Sequence, residues 1–304
     1  MALDSKERSL IVEKAKELLQ AGNEKASLFS NPVRKESAKY GKAQDYLVAK
    51  AIEEFGDSEL ESQFDEIVPV NNVLKERLKH ELKDIFSTKD EIRLKASKII
   101  DSQSRAVPYD ERMLWLRHPT TVRLLREALS KEQDERVQEN LVRALGSIYS
   151  RIVKDPRIFD SVKRFLESKN SKVRLAAVIW TGSMCFDEKW PHVISIAQST
   201  GKYDDIRGCL WQMACLRTAS KSVIISFYDA ILTFTNKKRL PDHKLREILD
   251  SLWTTKDDNL ISILCELYQK HRTIDTDRAM QQLLTRTNFS PAVINFFSEL
   301  FEGD

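Results

Sequence analysis

The stretch DERVQENLVRALGSI, residues 134–148, decides the fold. Val137, Leu141, Ala144, Leu145 and Ile148 stand at offsets 0, 4, 7, 8 and 11. On a helix of 3.6 residues per turn these positions form one apolar stripe, which must pack against a neighbour. Asp134, three residues before Val137, is placed to cap the first turn. The segment predicts an amphipathic helix that is half of a packing unit.

Four further segments align on the same apolar position: DEIRLKASKII from Asp90, NSKVRLAAVIWTGSM from Asn170, YDDIRGCLWQMACL from Tyr203 and HKLREILDSLW from His243. The five anchors are Ile92, Val137, Val173, Ile206 and Leu245, separated by 45, 36, 33 and 39 residues. Such spacing is the length of a helix pair with its turns. The third segment places Ala177, Trp180, Thr181 and Met184 on the stripe. The fourth gives Leu210, Met213 and Ala214, then breaks at Arg217. Asp or Asn stands two to three residues before several anchors, as an N-cap would.

The rest of the chain keeps this rhythm. Helices are predicted near 4–20, 35–55, 71–86, 89–104, 111–130, 133–151, 156–168, 171–186, 190–199, 203–218, 220–235, 241–255, 257–271, 275–286 and 290–301. Pro108, Pro156, Pro191, Pro241 and Pro291, with Asn170 and Gly201, fall between them. A proline in a first turn is well placed because its missing N–H has no intrahelical acceptor to lose. No stretch sustains period-2 alternation. Residues 53–66 hold seven acids and no Lys or Arg, which marks a solvated connection or short helix. The expected organisation is a helical N-terminal extension or cap over 1–70 and a repeat array over 71–304.

The repeated segment resembles the second helix of HEAT-like (armadillo-type) repeats, roughly Asp-x-x-Val-Arg-x-x-Ala-x-x-Ala-Leu-Gly. Asp134, Val137, Ala144, Leu145 and Gly146 fit this form, with Gln138 in place of the Arg. Asn170, Val173, Arg174, Ala177 and Gly182 fit it as well. The likeness covers about residues 88–255, and the remainder follows by helix-pair rhythm. It implies an all-α fold, a right-handed α-solenoid of stacked helix pairs, and a surface that binds something along its length.

Composition agrees with helices: 31% charged residues, 41% hydrophobic, and only 8 Gly and 8 Pro in 304 residues. The net charge of +3 is small, and residues 1–110 carry 19 basic and 21 acidic side chains against 30 and 25 in the remainder. That balance gives little support to a dedicated duplex binder. Cys185, Cys209, Cys215 and Cys265 sit in apolar runs with no CxxC pair, and read as free, buried thiols in a reducing compartment. The N-terminus MALDSKERSLIVEKAKELL reads as an amphipathic helix rather than a signal peptide, and no apolar run reaches spanning length. A cytoplasmic protein without membrane contact is expected.

Chemistry-bearing motifs are sparse. His80, His118, His192, His243 and His271 are scattered, and neither HExxH, GxSxG nor a phosphate-cradling Gly loop occurs. Asp204–Asp205 and Asp257–Asp258 precede helices, where acids serve as caps. No catalytic residue, metal site or cofactor is expected. Arg93, Arg174, Arg207 and Arg246 each follow an anchor by one residue. They form either a basic ladder for phosphates or, as the regular spacing favours, pairs within and between stacked repeats.

Helices 171–186 and 203–218 are apolar beyond one stripe. Leu175 and Ile179 lie about 180° from the core face and Trp211 about 115° from its centre, at roughly 100° per residue. Such helices are covered on two sides, or they line a groove. The groove reading gives a partner site of Arg174, Leu175, Ile179, Arg207 and Trp211, with Gly182 and Gly208 allowing another backbone close. The expected function is a non-enzymatic scaffold, adaptor or inhibitor, a bacterial immunity protein being one version, with a protein as partner. The alternative is a DNA-binding repeat protein of the alkylpurine DNA glycosylase type, which uses Trp and Asp on a concave face. Trp180, Trp190, Trp211 and Trp253 are present for that role, with Arg207 nearby in sequence. Trp180 and Trp253 fall on core offsets, however, and no complete Trp–Asp set can be matched.

Overall fold

A chain with few breakers and a 3.6-residue apolar period has one way to satisfy its backbone, and every regular element among the described residues is a helix. The computed structural model describes residues 5–26, 41–48, 50, 72–106, 115–182, 184–237, 239–285 and 287–303. The helices are α1 (Ser5–Ala26), α2 (Asn72–Asp84), α3 (Asp90–Ser104), α4 (Pro119–Lys131), α5 (Glu135–Arg151), α6 (Pro156–Lys163), α7 (Ser171–Trp180), α8 (Trp190–Ser199), α9 (Tyr203–Leu210), α10 (Lys221–Lys237), α11 (Asp242–Trp253), α12 (Asp258–His271), α13 (Ile274–Leu284) and α14 (Pro291–Glu302). Short 3-10 helices follow α6 (Arg164–Glu167), precede α8 (Asp187–Lys189) and extend α9 (Trp211–Thr218). The chain forms two compact units, Met1–Trp180 and Thr181–Asp304. The acidic segment 53–66 lies outside the described residues.

In the first unit the second helices of successive pairs, α3, α5 and α7, stack on one another. The first helices, α2, α4 and α6, form the facing layer. The stripe that predicted α5 is its core: Val137, Leu141, Ala144, Leu145 and Ile148 are all fully buried. Burial of such side chains stabilises by about 1.5–3 kcal/mol each, alanine less. Asp134 caps α5 by accepting the Arg136 amide at 2.8 Å, and Asn170 accepts the Lys172 amide at 2.9 Å before α7. Polar stitches run along the α3–α5 seam. Asn140 donates to the Ser97 hydroxyl at 3.0 Å, and one heptad on Ser147 donates to the Ser104 carbonyl at 2.7 Å. Anchor Ile92 departs from its expected place and is 36% exposed, because α3 turns Ala96, Ser97 and Ile100 inward instead.

At Gly146 two backbones come close together. A Cβ built there would lie 2.3 Å from the Trp180 Cβ and 3.0 Å from its carbonyl oxygen. Replacing a helical Gly by Ala ordinarily gains up to about 1 kcal/mol. Here the methyl meets backbone on α7, and overpacking of this kind costs about 1–3 kcal/mol. Gly146→Ala should therefore lower the urea midpoint of the first unit. A raised midpoint would show that α5 and α7 stand farther apart.

In the second unit α8, α10, α12 and α14 stack as one layer and α9, α11 and α13 as the other. Asp257 caps α12 through the Asn259 and Leu260 amides, Ser290 caps α14, and Thr273 with Thr276 forms a capping box before α13. Trp253, Tyr268, Phe296 and Phe297 make an aromatic cluster with ring centroids 4.9–6.5 Å apart.

Three expectations need correction here. The helix predicted over 171–186 stops at Trp180, in a turn closed by the Met184 amide donating to the Thr181 carbonyl at 2.8 Å. Lys189, fully buried, reaches back with Nζ to the Met184 and Thr181 carbonyls at 2.8 and 3.3 Å and holds the turn. The helix predicted over 111–130 breaks at His118, because Pro119 cannot donate and begins a new helix there. Finally, the cysteines are not four free thiols. Cys185 and Cys215 form a disulfide, and Cys185 lies at the surface. This pair withdraws the cysteine argument for a reducing compartment. Cys209 and Cys265 are free, and burial pushes their thiols up to about 12 and about 11. No helix among the described residues is long and apolar enough to cross a membrane.

Candidate functional site

The five residues singled out from sequence fall on two elements in two units: Arg174, Leu175 and Ile179 on α7, Arg207 and Trp211 on α9 and its 3-10 extension. On α7, Leu175 and Ile179 are half-buried, while Ala176, Ala177 and Val178 are buried. That helix is covered on more than one side. On the second element Arg207 is exposed, and Trp211 is 50% exposed.

The arginines that follow the anchors are occupied within the protein. Arg93 donates to the Ser87 carbonyl at 2.9 Å and Arg174 to the Ser168 carbonyl at 2.6 Å, each six residues back. Gln138, which stands where the repeat has Arg, makes the same reach to the Glu132 carbonyl at 2.8 Å. The position thus clasps the turn that enters its own helix, and any long donor serves. Arg93 also pairs with Glu132 of the next repeat at 2.8 Å. Arg207 pairs with Glu247 at 3.2 Å and Arg246 with Gln282, again one repeat on. Burial alone would raise the Glu132 carboxyl. Hydrogen bonds from Arg93 and the Asp134 and Gln133 amides outweigh it and hold the group below its ordinary value. At Asp134 the Arg136 guanidinium and the capped amide hold the carboxyl down at about 2.

The surface around Trp211 has its own geometry. At Trp211 the helix tightens from α to 3-10, so each residue advances about 120° rather than 100°. Residues three apart then eclipse, and Trp211, Ala214 and Arg217 form one exposed ridge while Gln212, Cys215 and Leu216 turn inward. The change of period explains why the sequence stripe fails at Arg217. It had also placed Met213 and Ala214 in the core, where they are half-buried and exposed. Beside the ridge lies a cleft of about 480 Å³, closed on the other side by Ser251, Thr254 and Thr255 at the end of α11 and by Lys256 and Asp257 in the turn to α12. Sequence reasoning missed Arg217 and Lys256, because only the 3-10 turn and the stacking of α9 on α11 bring them to one cleft.

Only one of the two aspartate pairs caps a helix as the sequence suggested, since α9 starts from Lys202 with no side-chain cap. Asp257 caps α12, and Asp205 in the first turn of α9 accepts the Thr200 hydroxyl. Among the described residues no group of three or more His, Cys, Asp or Glu side chains could hold a metal ion. Gly182 and Gly208 are both buried, and the close backbone approach described above is at Gly146 instead.

Comparison with solved structures gives the class. The designed armadillo repeat protein YIII(Dq)4CqI matches with a TM-score of 0.50 at 13% identity, over 73% of this chain and 97% of that one. An engineered protein solved by a structural genomics consortium gives a TM-score of 0.41 at 16% identity, over 86% and 98%. No family model and no curated protein matches the sequence. The chain has the all-α architecture of armadillo-type helical repeats, resembling designed repeat proteins at low sequence identity.

Proposed function

We propose that this chain is a non-enzymatic protein-binding module, a scaffold, adaptor or inhibitor, whose contact surface on the second unit is centred on Trp211. The observation that carries the reading is the ridge: a half-exposed tryptophan on a 3-10 helix, in an architecture whose stacked pairs present side chains along a surface. Partly exposed aromatics anchored on fixed elements supply much of the binding energy of protein interfaces. A bacterial immunity protein is one form such an inhibitor takes. Leu175 and Ile179 on α7 would add apolar contact in the first unit. A phosphate-binding ladder is disfavoured because Arg93, Arg174, Arg207 and Arg246 already pair inside the protein.

The test is capture from native lysate with and without nuclease, followed by titration of the captured partner against variants. Trp211→Ala should weaken binding at least about 30-fold, the size of an interface hot spot, with helicity unchanged by circular dichroism. Leu175→Asp should weaken it as well. Unchanged affinity in Trp211→Ala would remove the ridge from the interface. A catch consisting only of nucleic acid, lost to nuclease, would favour the DNA-binding reading.

A further inference from the structure

The cleft beside the ridge has a composition that selects its occupant. Arg217 and Lys256 face it from its two sides and make no ion pair or hydrogen bond among the described residues. The acid that shares the cleft, Asp257, is committed to the α12 cap, accepting two amides at 3.1 and 3.2 Å. Thr255 Oγ1 accepts the Asp257 amide at 3.3 Å, which leaves its own O–H to donate outward. Ser251 and Thr254 donate to the Glu247 and Ser251 carbonyls. The cleft therefore offers two cations and a hydroxyl donor around a space of about 480 Å³. That volume suits one or two side chains and lies within the usual range of small binding pockets.

Spacing adds a second constraint. On a 3-10 helix rising about 2 Å per residue, Arg217 stands about 12 Å beyond Trp211 along the ridge. An extended peptide covers that span in about three to four residues. The exposed Arg207–Glu247 pair flanks Trp211 on the other side, and a bridge of this kind costs little to open.

We propose that the cleft binds acidic side chains of a partner protein's extended segment. The segment's apolar residue packs on Trp211, and one or two Asp or Glu carboxylates three to four residues away enter between Arg217 and Lys256. The proposal rests on the protein-binding reading above and names the chemistry of the partner. A duplex does not fit this description, since two cations in a small cleft cannot follow a run of phosphates.

The probe is a fluorescein-labelled peptide, Gly-Ser-Phe-Ser-Gly-Glu-Glu-Gly-Ser, titrated with the full chain by anisotropy at low salt. Saturable binding that weakens with salt is expected, at least tenfold tighter than the same peptide with Gln-Gln for Glu-Glu. Arg217→Glu/Lys256→Glu should weaken it at least tenfold, while the matched reversal Lys95→Glu/Lys98→Glu in the first unit leaves it unchanged. Both variants are checked by thermal melting, and their substitutions lie on exposed side chains. Equal affinity for the Glu and Gln peptides, no binding at millimolar protein, or unchanged binding by the Arg217/Lys256 variant would each overturn the proposal. So would displacement by a single-stranded oligonucleotide at lower concentration than by unlabelled peptide. The two readings separate cleanly. Loss of the captured partner in Trp211→Ala, with partner and peptide both retained in the Arg217/Lys256 variant, sinks the cleft and keeps the ridge. Retention of the partner in Trp211→Ala sinks the underlying reading.

Discussion

Trp253→Ala is expected to remove about 3–5 kcal/mol from the stability of the second unit, the usual cost of emptying a large aromatic site in a packed core. Trp253 is fully buried at the end of α11, with Phe297 edge-on at 4.9 Å, Tyr268 edge-on at 5.8 Å and Phe296 stacked at 5.9 Å. Those rings belong to α12 and α14, so one residue joins three helices across both layers. Its indole N–H finds no acceptor among the described residues. Trp253→Phe should consequently cost less than about 1.5 kcal/mol, because it keeps ring contacts while removing an unpaired buried donor. The measurement is hydrogen exchange of α11, α12 and α14 amides against urea. Equal losses in the Ala and Phe variants would mean that the indole is paired and the cluster less decisive than its geometry indicates.

The second large effect is a pH dependence. Burial lowers the Lys189 ammonium from its usual value to about 7, with only carbonyls to receive its protons. In the unfolded chain this group titrates near 10.4. Between those values the unfolded state binds a proton that the folded state lacks, so stability must rise with pH across the window. From pH 7 to 8.5 the lysine alone contributes a gain of about 1–2 kcal/mol, the full slope of roughly 1.4 kcal/mol per unit being reached only above its folded value. The raised thiols of Cys209 and Cys265 work in the opposite direction from about pH 8 upward, since an unfolded thiol titrates near 8.5 and unfolding then releases protons they hold in the fold. The lysine's share is therefore read as the difference between the parent protein and a variant that lacks the lysine but keeps both thiols. Relative to Lys189→Met, the parent protein should gain stability as pH rises from 7 to 8.5. Parallel slopes in the two proteins would show that the ammonium stays charged in the fold.

The architecture was readable because burial imposes a period. The α5 stripe, the buried anchors Val137, Val173, Ile206 and Leu245, and the Asp134 and Asn170 caps all follow from one side chain's relation to its near neighbours in sequence. Features that depend on a change of period or on distant partners were not readable. The 3-10 tightening at Trp211 shifts each later residue by about 20°, and apolar composition alone does not announce it. The Cys185–Cys215 pair has no motif spacing, and Lys189 looks like any charged residue before a helix. The arginine positions were legible as a pattern. Their use became clear only with the acceptors in place, because a carbonyl six residues back carries no sequence signature.

That clasp has a consequence for how such a chain can change over time. In three consecutive pairs, the side chain that fixes the incoming turn finds its acceptor within the same repeat: Arg93 with Ser87, Gln138 with Glu132, Arg174 with Ser168. Each pair therefore carries its own corner brace, and at Glu132 the Arg93 guanidinium of the preceding pair is added to it. A segment bounded by two such corners can be duplicated, deleted or exchanged as a block. What the new neighbours must then match is the apolar stripe together with the polar stitches across the seam, Asn140 with Ser97, Ser147 with Ser104 and Arg93 with Glu132.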